Sequence, residues 1–156
     1  MRYELEQSAR EELDFLTPIF ELKESPIVPK ISLCIKEKYM GLFMPENTIT
    51  LIGNYSEHPL TIHQKFKCLL SHELGHYFHY LKIGKEKWYG LNKFVGANLR
   101  EDVANLSHLL CFETIGLLNT VLKIEEDLGF NFNKLKELAR IENKREKLKE
   151  LLIERQ

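Results

Sequence analysis

Little in this chain suits it to a membrane, to nucleic acid or to a disulfide framework. No apolar run approaches the ~18 residues needed to span a bilayer as a helix. The opening Met1-Arg2-Tyr3-Glu4-Leu5-Glu6 is too acidic and too polar for a secretory signal. A cytoplasmic location is therefore expected. The formal net charge is −1, so no global field draws the chain to a polyanion. There is no glycine-rich phosphate loop, no paired-cysteine zinc knuckle, no internal repeat and no evident helix-turn-helix. The three cysteines, Cys34, Cys68 and Cys111, are scattered and odd in number, which argues against a disulfide framework. Each reads as a small buried apolar group.

What is present is enough for one domain with its own core: 156 residues, 44% hydrophobic and 29% charged. The chain is organised around Cys68-Leu69-Leu70-Ser71-His72-Glu73-Leu74-Gly75-His76. Residues 61–82 contain no proline and a single glycine, Gly75. Ile62, Phe66, Leu69, Leu70, Leu74, Tyr77, Phe78 and Leu81 fall within one arc at ~100° per residue, which predicts a helix packed on a core. On that helix His72 and His76 are four apart and share a face, so each can offer one imidazole nitrogen to a single zinc ion. Glu73 lies inside the apolar arc, where an unpaired carboxylate is expensive. A metal and an activated water give it a reason to be there, as the base that handles the water's proton. Cys68 is too far from His76, ~12 Å along a helix axis, to share an ion with both histidines.

A catalytic zinc needs a third protein ligand. Downstream, Glu101, Asn105, His108 and Phe112 follow at i, i+4, i+7 and i+11 on a second helix, one stripe. Glu101 is the expected ligand. Asn105, one turn on, is placed to steady a ligating imidazole. Tyr80, Tyr89 and His108 are candidates to stabilise an oxyanion. His108 is favoured because it shares the Glu101 stripe, with a core or supporting histidine as the competing reading. His58, His63 and His79 read as surface residues.

His72-Glu73-x-x-His76 followed by Glu101-x-x-Ala104-Asn105 resembles the gluzincin pattern, and within it the ImmA/IrrE-type metallopeptidases. The resemblance covers roughly residues 31–110. It departs after Asn105, where Ser107-His108 stands in place of Phe-Ala and Cys111-Phe112-Glu113-Thr114 in place of Leu-Leu-Met-Pro. It implies His72, His76 and Glu101 as zinc ligands, Glu73 as catalytic base, and a small sheet before the motif helix. It also implies a strand along the cleft, here 48–52, whose edge could hold an extended peptide; an internal strand is the alternative. A protein substrate, such as a transcriptional repressor, follows from the same resemblance.

The remaining chain supplies the frame. Residues 2–17 predict an amphipathic helix ended by Thr17-Pro18. Residues 31–35, 39–44 and 48–52 alternate like strands, with hairpin-like connections. Residues 83–99 read as a linker whose Trp88, Tyr89 and Phe94 line or cover a pocket, or plug the core beneath it. A helix runs from 100 to about 121, and Asn133 caps a last helix whose charged faces are solvated. The expected fold is α+β and zincin-like. A single domain, 1–156, comprises an N-terminal helix and small three-stranded sheet (1–60), the motif and glutamate helices (61–123) and a C-terminal helix (131–156). The expected function is zinc-dependent hydrolysis of peptide bonds. The alternative is a zinc-binding regulatory protein that engages a repressor or toxin without cutting it.

Overall fold

In the first helix, α1 (Arg2–Ile19), Leu5, Ala9, Leu13 and Leu16 recur at three and four residues, and all are at most 1% exposed. The computed structural model describes residues 1–91 and 96–154. The helix does not stop at Thr17-Pro18 as expected: Pro18 sits inside its last turn. A proline there removes only one amide bond, and Phe20 still donates to Leu16 O at 2.9 Å. Burial of Ile19 and Phe20 carries the helix on, and Glu21, at φ 57°, turns the chain out of it.

Three strands follow: β1 (Lys30–Ile35), β2 (Met40–Met44) and β3 (Thr48–Gly53). Their order in the sheet is β1-β3-β2. Only β2 and β3 form the expected hairpin, through Pro45-Glu46-Asn47 with Asn47 at φ 65°. β1 instead pairs with β3 in parallel, Lys30 opposite Thr48 and Ile35 opposite Gly53. The strand 48–52 is therefore internal, and the edges are β1 and β2. The most β-branched segment takes the middle place, with Ile49 and Leu51 fully buried on its inner face.

The longest helix, α2 (Pro59–Ile83), packs against α1, β2, β3 and the three helices that follow it. Pro59 sits at its first turn, where its missing N–H costs nothing, and His58 Nδ1 caps it by accepting from Leu60 N–H at 3.1 Å. The expected linker holds a short helix, α3 (Lys85–Gly90), and α4 (Gly96–Thr114) begins before residue 100. α4 ends well short of 121. Gly116 adopts φ 77°, and Leu117 N–H reaches back to Phe112 O at 2.9 Å, a left-handed cap that satisfies the last carbonyls.

The chain then forms α5 (Leu118–Leu128), α6 (Phe132–Ala139) and α7 (Lys144–Glu154). The cap of α6 is Asn131, not Asn133: its Oδ1 accepts from Lys134 N–H at 3.2 Å. The expected single C-terminal helix is two, because Asn143 Oδ1 caps a fresh start on Glu146 N–H at 3.2 Å. Lys144 is buried and pairs with Glu113, tying α7 to α4. The result is an α+β fold, mostly helical, with one core shared by α1, the sheet, α2, α4, α6 and α7.

Candidate metal centre

The position of the centre is set by where α2 and α4 touch. A Cβ added to Gly75 would lie 2.7 Å from Ala104 Cα and 2.9 Å from Ala104 O. Only a residue without a side chain allows that approach. Gly75 lies between His72 and His76, and Ala104 lies between Glu101 and Asn105, so the closest contact of the two helices brings both motifs together.

The three expected ligands converge. His72 Nε2 is 3.1 Å from Glu101 Oε2, and His76 Nε2 is 3.2 Å from Glu101 Oε1. The two rings lie edge to face, with centroids 4.8 Å apart. Asn105 Oδ1 lies 2.9 Å from His72 Nδ1. An acceptor there holds a proton on Nδ1 and turns the other ring nitrogen, Nε2, toward Glu101. Asn105 thus lies within hydrogen-bond reach of the imidazole one turn before His76.

Glu101 and the two imidazoles shift one another's protonation. Burial alone would push the His72 imidazole down, but the Glu101 carboxylate bonded to it, with Glu73 beside it, raises it to about 9. Partial burial pushes Glu101 up, yet its hydrogen bonds from the two histidines hold it far below the usual carboxylate range. Two imidazole nitrogens and one carboxylate, of opposite charge demand and within bonding reach of each other, form the donor set that zinc takes at open, three-ligand sites. His72, Glu73 and His76 also place their ligand atoms within 4.8 Å of one another.

Glu73 is buried, as its place in the apolar arc implied. It faces β2: a Cβ on Gly41 would come within 2.9 Å of Glu73 Cγ and 3.1 Å of Oε1. The missing side chain at Gly41 is thus what lets an edge strand pass over the carboxylate. Tyr39 stacks near Phe66, and Phe43 near Tyr77 and Tyr80, so β2 runs alongside α2 in the same direction.

Other expectations need correction. His108 does not reach this centre's surface. It is fully buried, its Nε2 is bonded to Glu125 of α5, and burial pushes its imidazole down to about 3. Burial likewise raises Glu125 to about 8. The pair is driven toward its uncharged forms, and a group sealed in this way is not available to stabilise an oxyanion. His79, expected in solvent, is fully buried because α3 folds over it and presses Trp88 against its ring at 5.4 Å.

Trp88 plugs the core rather than lining a pocket. It is 1% exposed, packs on His76, Phe43 and Tyr80, and carries the Arg100 guanidinium over its ring at 3.7 Å. Tyr80 is engaged in that same cluster, whereas Tyr89 is 41% exposed. Phe94 lies outside the described residues. Cys68 and Cys111 are buried as expected, but Cys34, near the end of β1, is exposed; burial pushes the Cys68 thiol well up, and it packs against Phe112 and Val121.

A cleft of about 560 Å³ opens beside His72, Glu101 and Asn105. Its far wall is Phe130, Asn131 and Lys134, from the α5–α6 junction. Sequence reasoning assigned these three no part. Asn131 caps α6, and the tertiary fold brings that turn to the cleft. Comparison of the chain with known protein families, with curated proteins and with solved structures gives no match.

Proposed function

We propose that this chain is a zinc-dependent metallopeptidase that hydrolyses peptide bonds in a protein substrate. One observation carries the reading: two Nε2 atoms from one helix and a carboxylate from another meet within 3.2 Å, with a second, buried carboxylate beside them. His72, His76 and Glu101 would hold the metal. Zinc, when bound, supplies Lewis acidity, polarising a carbonyl and lowering the pKa of water toward ~7.

The remaining steps belong to the chain. Glu73 takes a proton from the attacking water on a carboxylate oxygen and returns it to the leaving nitrogen. Asn105 would hold a proton on His72 Nδ1, so that Nε2 is the nitrogen left to ligate. β2, an edge strand over Glu73, offers backbone groups to which an extended substrate adds as a further strand. The zincin-like arrangement of helix, glutamate helix and edge strand is part of the same proposal, as is a regulatory protein such as a repressor as the substrate.

The test is Glu73→Gln, which removes the base and leaves the three ligands. Zinc content should stay near one per chain while cleavage of an unfolded protein such as casein is lost. Equal cleavage by parent and variant sinks the mechanism. A zinc-loaded parent that cuts no protein at all points instead to partner binding without cleavage.

A further inference from the structure

Three side chains on the walls of the cleft beside the centre have donors left to offer. Asn105 Oδ1 faces His72 Nδ1, so its amide N–H groups are what remain for a ligand. Asn131 Oδ1 accepts from Lys134 N–H, so its amide also presents donors. Lys134 Nζ is a donor only. It lies 3.7 Å from Asp102 Oδ1, an ion pair longer than a hydrogen bond, which leaves its N–H groups able to turn to another acceptor. Glu101, the other acid on these walls, has both oxygens directed to the two imidazoles. The Phe130 ring packs on His72 with centroids 5.9 Å apart and gives the cleft an apolar side.

We propose that this cleft is a substrate subsite for a carboxylate, held by Lys134 with the amides of Asn131 and Asn105. It rests on the hydrolase reading, because the cleft shares His72 and Glu101 with the metal cluster. Two sources supply that chemistry: an aspartate or glutamate side chain near the scissile bond, or the free C-terminus of the substrate. The ammonium would meet the carboxylate with charge-assisted hydrogen bonds, about twice as strong as neutral ones. A neutral amide of the same shape keeps only the weaker bonds, and a cationic side chain is repelled by the Lys134 ammonium.

The test measures binding, which does not depend on turnover. Zinc-loaded Glu73→Gln protein is titrated by NMR with blocked pentapeptides, Ac-Ala-Ala-X-Ala-Ala-NH₂, where X is Glu, Gln or Lys. A fourth peptide, Ac-Ala-Ala-Ala-Ala-Ala with a free carboxyl terminus, is compared with its amide. One carboxylate peptide should bind about tenfold more tightly than its neutral counterpart. Which one does so identifies the source. The preference should vanish in Lys134→Met, which keeps the stem, and weaken in Asn131→Ser, which keeps the α6 cap.

Equal affinity across the set, including no binding by any peptide, overturns the proposal, as does a preference that survives Lys134→Met. The hydrolase reading fails separately: a parent that binds the carboxylate peptide selectively yet cleaves no substrate loses the enzyme and keeps the subsite.

Discussion

Replacing His79 by leucine should change how the fold responds to acid. The imidazole is fully buried, and among the described residues neither ring nitrogen has a hydrogen-bond partner. Burial, with the positive charges of His76 and Arg100 nearby, pushes it from 6.5 down to about 3. In the unfolded chain it protonates near 6.5, whereas in the folded chain it stays neutral. Its contribution to stability is therefore complete above pH 6.5 and is lost as the pH falls toward 3. At 1.36 kcal/mol per pH unit the loss is about 2 kcal/mol at pH 5 and about 5 kcal/mol below pH 3.

His108, held down by burial, acts in the same direction. Glu12 and Glu125, raised to about 8, act in the opposite one: their contribution is present below 4.5 and lost as the pH rises through 8. All three are common to parent and variant and cancel in the difference. Leucine is close to histidine in size and removes the two orphaned nitrogens, so the variant should fold at neutral pH. Urea unfolding in EDTA, followed by the fluorescence of Trp88, the single tryptophan, gives both stabilities at pH 8 and pH 5. The stability gap should move in favour of His79→Leu by about 2 kcal/mol between those pH values. A gap that moves by less than about 0.5 kcal/mol refutes the assignment of a neutral, sealed His79.

Two further predictions concern the centre itself. Gly75→Ala should destabilise the fold by about 1–3 kcal/mol, although alanine is the better helix former, because its methyl meets the backbone of Ala104. The same shift moves Glu101 relative to the histidines, so zinc affinity, measured against a chelating dye, should fall with it. Unchanged stability would show that the two helices are less tightly apposed. Asn105→Ala should weaken zinc about 10- to 100-fold by freeing His72 Nδ1, and Asn105→Asp, which keeps the acceptor, should restore most of it. Equal affinity for Asn105→Ala and the parent argues against any supporting role.

The motif helix was legible because its apolar residues recur at the helical period and leave His72 and His76 on one edge. Glu101 and Asn105 were legible by the same rule, four apart on a second helix. What covers these helices was not. The helical wheel places His79 toward solvent, and only the fold of α3 shows that Trp88 covers it. The break in α4 was hidden because Ile115, Leu117 and Leu118 continue the apolar spacing across Gly116. The start of α7 did carry a signal, Asn143 followed at three residues by Glu146, inside a run of charges that otherwise reads as continuous helix. Sheet order is a long-range property: the alternation of 31–35 and 48–52 marks them as strands, and nothing local says that they lie side by side.

The strand order also governs when the sheet can exist during synthesis. The central strand is the last of the three in the chain, so β1 and β2 leave the ribosome with no neighbour to bond to. Until residues 48–53 emerge, Ile31, Leu33, Leu42 and Phe43 belong to unpaired segments open to other nascent chains. Once β3 appears, the short β2–β3 turn has the lower closure cost, whereas β1 pairs with a partner eighteen positions downstream in register. A pause in translation after residue 44 has left the exit tunnel but before Thr48 emerges would lengthen that vulnerable interval, and soluble yield would record it.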